Sequence, residues 1–486
     1  MKASISGAVS LRQLSGTIAG LSNHTRSAEI PRSHGRARHQ RGGILMVLTL
    51  SLLKAKWLVY SQVKLAAHAR LVTEMNGKSL IPEPFGPLQG VRIISTGTLI
   101  AQPFAGELAA EMGAEVIQVE RPGAGDVGWR KLGVCLESND ASGPIATNWV
   151  QERRNVFCVT LDFAKPRGRE VFLQLLPLCD IWMESSKPGT YPRWGLDDQT
   201  AMKVNPQLVI THVSGYGQYG APGYPPRTSY DVVGQAFGGT MYQTGYPEHP
   251  PSRAAPWTGD YLTALFTLWS SLAGLTYARQ FGQGQVIDLA QYEAIHRTIG
   301  GTMVEYFQKG LVRERSGNKA QGFQPLDSFQ TNDGWVVMGA LSEVYKRLLH
   351  AIGLDPNDPK WDSARVNLES IEGIEFDAML RGWIAERSTA EVVRILNEAQ
   401  VPCAPIMTAK DMAENPHYGA REMHVEWNDL QAGQVKGIGV VPKFSLTPGK
   451  IWRGSPGVGH DNQRVYGELL GLTTGELDML RGEKVI

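Results

Sequence analysis

The stretch VRIISTGTLIAQPFAGELAAEMGAEVIQVE, residues 91–120, constrains the fold more than any other part of the chain. VRIIST is a short apolar run of strand length, PFAGELAAEMG carries helix formers behind a proline and closes on Gly113, and AEVIQVE is a second strand. Two strands joined through a helix in so few residues run parallel, and a parallel sheet needs helices over both faces. The theme repeats: FCVTLD reads as a strand, PRGREVFLQLLPLC as a helix, and DIWMES and PQLVITHVSG as further strands. The fold class expected is therefore α/β, with a doubly wound parallel sheet.

Later segments change character. YGAPGYPPR, residues 219–227, is a proline and glycine loop, and GQVIDLAQYEAIHRTIGG gives a short strand and then a helix. DSFQTNDGWVVMGA predicts two short strands about an Asn-Asp-Gly turn, and the amphipathic SEVYKRLLHAIG and TAEVVRILNEAQ predict helices beside them. That pattern describes a smaller α+β domain. The boundaries expected are a leader over 1–80, a large domain beginning over 84–290, a linker over 291–314, the small domain over 315–400, a linker over 401–425 and a closing segment over 426–486.

With 42% hydrophobic and 20% charged residues, the 486-residue chain has the composition of a globular protein of more than one domain. Its four cysteines, Cys135, Cys158, Cys179 and Cys403, form no C-x-x-C pair, and its 11 histidines show no ligand spacing. No metal site and no disulfide framework are expected, and reduced thiols suit a cytoplasmic location. The formal charge of +1 hides an asymmetry, because residues 1–80 carry 12 Lys+Arg against 2 Asp+Glu while the remainder carries 36 against 45. A basic, acid-poor leader fits a mitochondrial targeting segment or a nucleic-acid arm. It also fits an upstream extension ahead of a start at Met75, the reading favoured here because organised pattern begins only at FGPLQGVRIISTG. The acidic remainder argues against nucleic acid as a partner. Lys54, Lys56 and Lys64 interrupt the apolar run in the leader, so no membrane span is expected.

Gly215, Gly217 and Gly220 satisfy G-x-G-x-x-G, but Pro222, Pro225 and Pro226 follow, where a dinucleotide site needs a helix to open. No Walker A lysine and no G-x-S-x-G elbow is present. The first βα turn and the loop from Arg121 to Asp126 do suit an anionic, phosphate-bearing ligand. Further on, PWTGDYLTALFTLWSSLAGL, residues 256–275, sets Asp260 at the start of a long apolar run. Such an aspartate serves as a helix cap, or as a carboxylate nucleophile that forms acyl intermediates.

In order and spacing, GAEVIQVERPGAGD, SSKPGTYPRWGL, HVSGYGQYGAPG, TGDYLTAL and GQGQVIDLAQYEA resemble the type III CoA-transferase family over residues 84–486. CAPIMTAKDMAENPHYGARE and VPKFSLTPGKIWRGSP look closest to its carnitine branch. The resemblance implies an interlocked homodimer in which each large domain is built from both ends of the chain. It implies that Asp260, in the Gly-Asp motif, is the nucleophile, and that coenzyme A is a co-substrate with no permanently bound cofactor. CoA contacts fall on Ala101 and Gln102 in the first βα loop, on Arg121, and on Lys187 and Arg193 in KPGTYPR; SGNKAQG lacks the polyglycine loop of many members.

The reaction implied passes through an aspartyl–acyl anhydride and an aspartyl–CoA thioester, moving CoA between crotonobetainyl-CoA or γ-butyrobetainyl-CoA and carnitine. An aspartate with an ordinary pKa of about 3.9 is ionised for that task at neutral pH. Gly238 and Gly239 are candidate N–H donors to the developing oxyanions, with a plain tight turn as the competing explanation. Trp257, Tyr261 and Tyr242 are candidates for an aromatic cage around a trimethylammonium group, with core packing as the competing explanation. An α-methylacyl-CoA racemase needs a second acid/base, and where that branch has His before Asp this chain has Tyr230 before Asp231. The same motifs also fit transfer to formate, oxalate, succinate or a bile acid, and a catalytically silent acyl-CoA-binding subunit.

Overall fold

Every residue of RIIS, residues Arg92–Ser95, is buried, and so is every residue of Glu115–Glu120, Phe157–Thr160, Ile181–Glu184 and Val209–Ser214. Strands without a solvent face must lie inside a covered sheet. In the computed structural model, which describes residues 79–138 and 143–486, these five strands, β1 to β5 in chain order, join β6 (Val286–Ala290) in one parallel sheet ordered β3-β2-β1-β4-β5-β6. The expectations for residues 1–74 lie outside the described residues. No helix among the described residues is long and apolar enough to cross a membrane.

Successive strand residues point to opposite faces, and two cores result. Ile94, Ile117, Phe157, Trp182 and Ile210 point into one; Ile93, Val116, Cys158, Ile181 and Val209 point into the other. The helices that position the site are α1 (Pro103–Glu111), α2 (Thr147–Glu152), α3 (Pro166–Leu175), α4 (Asp231–Gly238), α5 (Thr258–Phe281) and α6 (Gln291–His296). On the second face α5 packs close, since a Cβ on its Gly274 would lie 2.8 Å from Val209 Cγ1. The first face is closed by the C-terminal segment, whose Val465, Tyr466, Leu477, Leu480 and Val485 are buried in the same core as Phe172 of α3.

The tail also protects an edge. β3 ends the sheet, and its free N–H groups would be open to pairing with another chain. Cys158 N–H donates to Asp461 Oδ2 at 2.8 Å and Thr160 N–H to Asn462 Oδ1 at 2.9 Å. The large unit thus joins the first and last parts of the described residues in one core.

Between these ends, β7 (Leu326–Gln330) and β8 (Trp335–Gly339) pair antiparallel about Thr331–Gly334, and β9 (Cys403–Pro405) adds to β8. Tyr345, Trp361, Phe376, Leu380 and Leu396 from four helices form a separate core with Phe329, Val336 and Met338. A second hairpin, β10 (His424–Asp429) with β11 (Gly433–Ile438), precedes the tail.

The strand order reverses between β1 and β4, so the chain leaves their carboxyl ends in opposite directions and opens a crevice there. In open α/β sheets that is where ligands bind.

Candidate active site

Two adjoining cavities sit at this switch point. One, of about 250 Å³, is lined by Leu99 and Ala101 after β1, Ser185 after β4, Ser229 and Tyr230 ahead of α4, Asp260 on α5 and Gln291 on α6. The other, of about 400 Å³, is lined by Arg121, Gly125 and Asp126 after β2, Phe163 after β3, and Ser186, Tyr191 and Trp194 after β4. Thr98 belongs to both walls.

Asp260 is the third residue of α5, at the positive end of the helix dipole. Its side chain does not cap the helix. Its own N–H instead donates to Asp231 Oδ1, at 3.1 Å, from the first turn of α4. Gly259 permits this approach, because a Cβ there would lie 3.0 Å from that same oxygen and 2.9 Å from Ile295 Cδ1. Asp231 is steadied through Oδ2 by Gln235 Nε2 at 2.8 Å. Asp260 Oδ1 accepts from Gln291 Nε2 at 2.5 Å. The residue is 8% exposed, and Oδ2 has no hydrogen-bond partner among the described residues.

Burial, with the neighbouring Asp231 carboxylate adding to it, pushes Asp260 up to about 7, while the Gln291 bond pulls the other way. The ordinary carboxylate value expected from sequence is therefore corrected. Near neutral pH Asp260 is poised between its carboxylic acid and carboxylate forms.

The loop after β1, whose Thr98 lines both cavities, is held in an uncommon conformation. Leu99 has φ 62°, in the left-handed region. Its N–H donates to Asp126 Oδ2 at 2.7 Å and its carbonyl accepts from the Arg153 guanidinium. Asp126 N–H donates to Glu120 Oε1 at 2.8 Å, and Glu120 is paired through both oxygens with Arg130, whose guanidinium stacks 3.7 Å from the Trp149 ring. On the β4 side His212 bridges Glu184 (2.6 Å) and Asp198 (2.9 Å). Burial opposes its charge, yet the bonds to Asp198 and Glu184 push it up to about 10, so it is an imidazolium at neutral pH.

Of the residues expected to meet CoA, Ala101 lines the Asp260 cavity and Arg121 the larger one. Gln102 is fully buried and engaged within its loop, Oε1 accepting from Gly97 N–H at 2.8 Å and Nε2 donating to Ser95 Oγ at 3.1 Å. Its part is to shape the β1 turn. Lys187 and Arg193 are exposed at the two ends of the turn that carries Tyr191.

The aromatic residues do not converge. Successive helix positions point about 100° apart, and Tyr261 does not line the Asp260 cavity: its hydroxyl donates to Glu152 Oε1, a carboxylate that also acts on Asp260, and its ring meets Phe104 edge-on at 4.9 Å. Arg253 covers Trp257 at 5.0 Å, and Tyr242 donates to Glu314 at 2.8 Å. Tyr230, 63% exposed, is the aromatic residue lining the cavity with Asp260. Gly238 and Gly239 end α4, Gly239 in the left-handed region at φ 95°. Neither glycine lines the Asp260 cavity, and a Cβ on Gly238 would lie 2.7 Å from Ile295 Cγ2.

Sequence reasoning missed Gln291 and the Asp231 contact. The signal for Gln291 was its position immediately after β6, at the carboxyl end of a parallel strand.

A sequence profile of CoA-transferase family III matches residues 88–462. Among curated proteins, the bile acid CoA-transferase BaiK of Clostridium scindens is 36% identical over 413 residues, covering 83% of this chain and 90% of that one. The succinyl-CoA–D-citramalate CoA-transferase of Chloroflexus aurantiacus is 35% identical, covering 83% and 99%, and the L-carnitine CoA-transferase of Proteus mirabilis is 34% identical, covering 79% and 93%. A solved CaiB/BaiF family protein from Brucella suis shares the fold at a TM-score of 0.69 and 24% identity, covering 79% of this chain and all of that one.

Proposed function

Because the chain belongs to CoA-transferase family III, and so moves CoA between acyl thioesters and free carboxylic acids, we propose that Asp260 is the nucleophile of that transfer. One observation carries this reading: a carboxylate at the head of α5, raised to about 7, with an unpartnered oxygen on a cavity at the switch point.

Asp260 Oδ2 attacks the thioester carbonyl of the donor, and CoA leaves as its thiolate. The thiolate then attacks the aspartyl carbonyl, releasing the donor acid and leaving an aspartyl–CoA thioester. The acceptor carboxylate reverses the two steps and departs as a CoA ester. The larger cavity, with Arg121, receives part of CoA, and Lys187 and Arg193 supply charge-assisted bonds to its phosphates.

For the acceptor, γ-butyrobetaine or carnitine is the first acid to test, supported by the carnitine-like C-terminal motifs and by the Tyr230 face on the Asp260 cavity. Bile acids and citramalate or succinate stand beside it, because their enzymes are as similar to this chain as the carnitine enzyme is. Racemisation lacks its second acid/base, since Tyr230 occupies that place. The homodimer reading is supported by large apolar side chains left open on α5 (Trp269, 58%) and on the helix Thr302–Lys309 (Phe307, 72%), a pattern that marks interaction surfaces. A cytoplasmic location suits the four free cysteines.

The test is intact-protein mass after mixing with γ-butyrobetainyl-CoA, succinyl-CoA or a bile acyl-CoA, with Asp260→Ala alongside. A CoA-sized adduct on wild type alone, discharged by the matching free acid, is the expected result. Adducts of equal yield on Asp260→Ala would remove the nucleophile assignment.

A further inference from the structure

The two oxygens of Asp260 have different fates in the proposed cycle, and only one of them is held. Oδ2 forms the bond to the donor acyl carbon and later leaves with the donor acid. Oδ1 stays on the protein throughout. When the CoA thiolate attacks Asp260 Cγ, the carbonyl electron pair moves onto Oδ1, which becomes an oxyanion until the Cγ–Oδ2 bond breaks. The acceptor carboxylate's attack on the thioester puts the same charge on Oδ1 before the C–S bond breaks. In the first and last steps the charge develops on the substrate's own carbonyl oxygen, elsewhere in the cavity.

Resting on Asp260 as nucleophile, we propose that Gln291 is a catalytic residue whose Nε2–H stabilises the oxyanion on Asp260 Oδ1 in the two steps that occur at the aspartyl carbon.

Three features aim this amide. Nε2 already donates to Oδ1 at 2.5 Å, so little reorganisation is needed when charge arrives. Gln291 Oε1 accepts from Ser229 Oγ at 2.6 Å, which fixes the amide with its N–H₂ toward Asp260. On α4, a Cβ at Gly234 would lie 2.7 Å from Gln291 Oε1, so a glycine in that helix leaves the space the amide fills. Gln291 is 5% exposed, in surroundings where water competes little for the bond.

The experiment separates the aspartyl steps from the first step. Wild type and Gln291→Met, which keeps the volume and removes the amide, are mixed with donor acyl-CoA and no acceptor near pH 9, where Asp260 is ionised in wild type. Rapid-quench intact mass distinguishes the anhydride, which adds the donor acyl group, from the thioester, which adds CoA. Wild type is expected to pass to the CoA adduct. The variant accumulates the acyl adduct with one equivalent of free CoA thiol, and its CoA adduct forms about 10²–10³-fold more slowly.

A CoA adduct formed at the wild-type rate overturns the proposal, and so does equal slowing of both adducts, the result of a merely structural role. If Gln291→Met does not fold, Ser229→Ala, which frees the amide to rotate, is read in the same way, with the CoA adduct alone slowed roughly fivefold. Absence of both adducts on wild type, or their persistence on Asp260→Asn, overturns the nucleophile reading and this one with it.

Discussion

Replacing Asp260 with Asn should stabilise the fold while removing the reaction. In the folded protein this carboxyl ionises near 7 rather than at its ordinary 3.8, so holding its charged form costs on the order of 4 kcal/mol at about 1.4 kcal/mol per pH unit. Below pH 3.8 the carboxyl is protonated in folded and unfolded chains alike, and ionisation costs nothing. Between 3.8 and about 7 the unfolded chain has lost the proton and the folded one keeps it, so wild-type stability falls as pH rises. Above about 7 the loss is complete and constant. Asn has nearly the same volume and never ionises, so it escapes the penalty.

The assay is urea unfolding of both proteins at one fixed protein concentration, at pH 4.5 and at pH 8.5. Asp260→Asn is expected to lead by about 1 kcal/mol at the lower pH and about 4 kcal/mol at the higher. A difference that does not grow with pH, or a wild type more stable at pH 8.5, would refute the claim that burial and Asp231 raise this carboxyl.

Catalysis should show the same ionisation with the opposite benefit: kcat/KM rises about tenfold per pH unit below 7 and levels above it, and a profile already level at pH 5 contradicts it. Arg130→Met should cost about 3–5 kcal/mol, because it leaves Glu120 charged, buried and unpaired, both side chains being under 7% exposed. The loop from Arg121 to Asp126 should loosen with it, so KM for acyl-CoA rises, and adding Glu120→Gln should restore part of the melting temperature.

The sheet was legible because its information is local. VRIIST, AEVIQVE, FCVTLD, DIWMES and QLVITHVS are apolar runs of strand length between helix signals, and each forms a strand. Three prolines after SGYGQYG ruled out a helix at the last glycine, and none opens there. Asp260 was placed at the head of a helix by the Gly-Asp step before a long apolar run, and α5 begins there.

The chemistry of that aspartate is not local. Its state is set first by burial and then by Asp231, 29 residues away, and Gln291, 31 residues away, which meet it only because α4, α5 and α6 pack at one end of the sheet. The aromatic residues show the converse: Tyr261 adjoins Asp260 in sequence, yet the helical turn sends it toward Glu152 and α2. Periodicity and turn chemistry, which depend on near neighbours, let the sequence by itself determine the elements and the place of the carboxylate. Burial and electrostatics depend on distance through space, so only the tertiary structure decided which groups surround that carboxylate and at what pH it is charged.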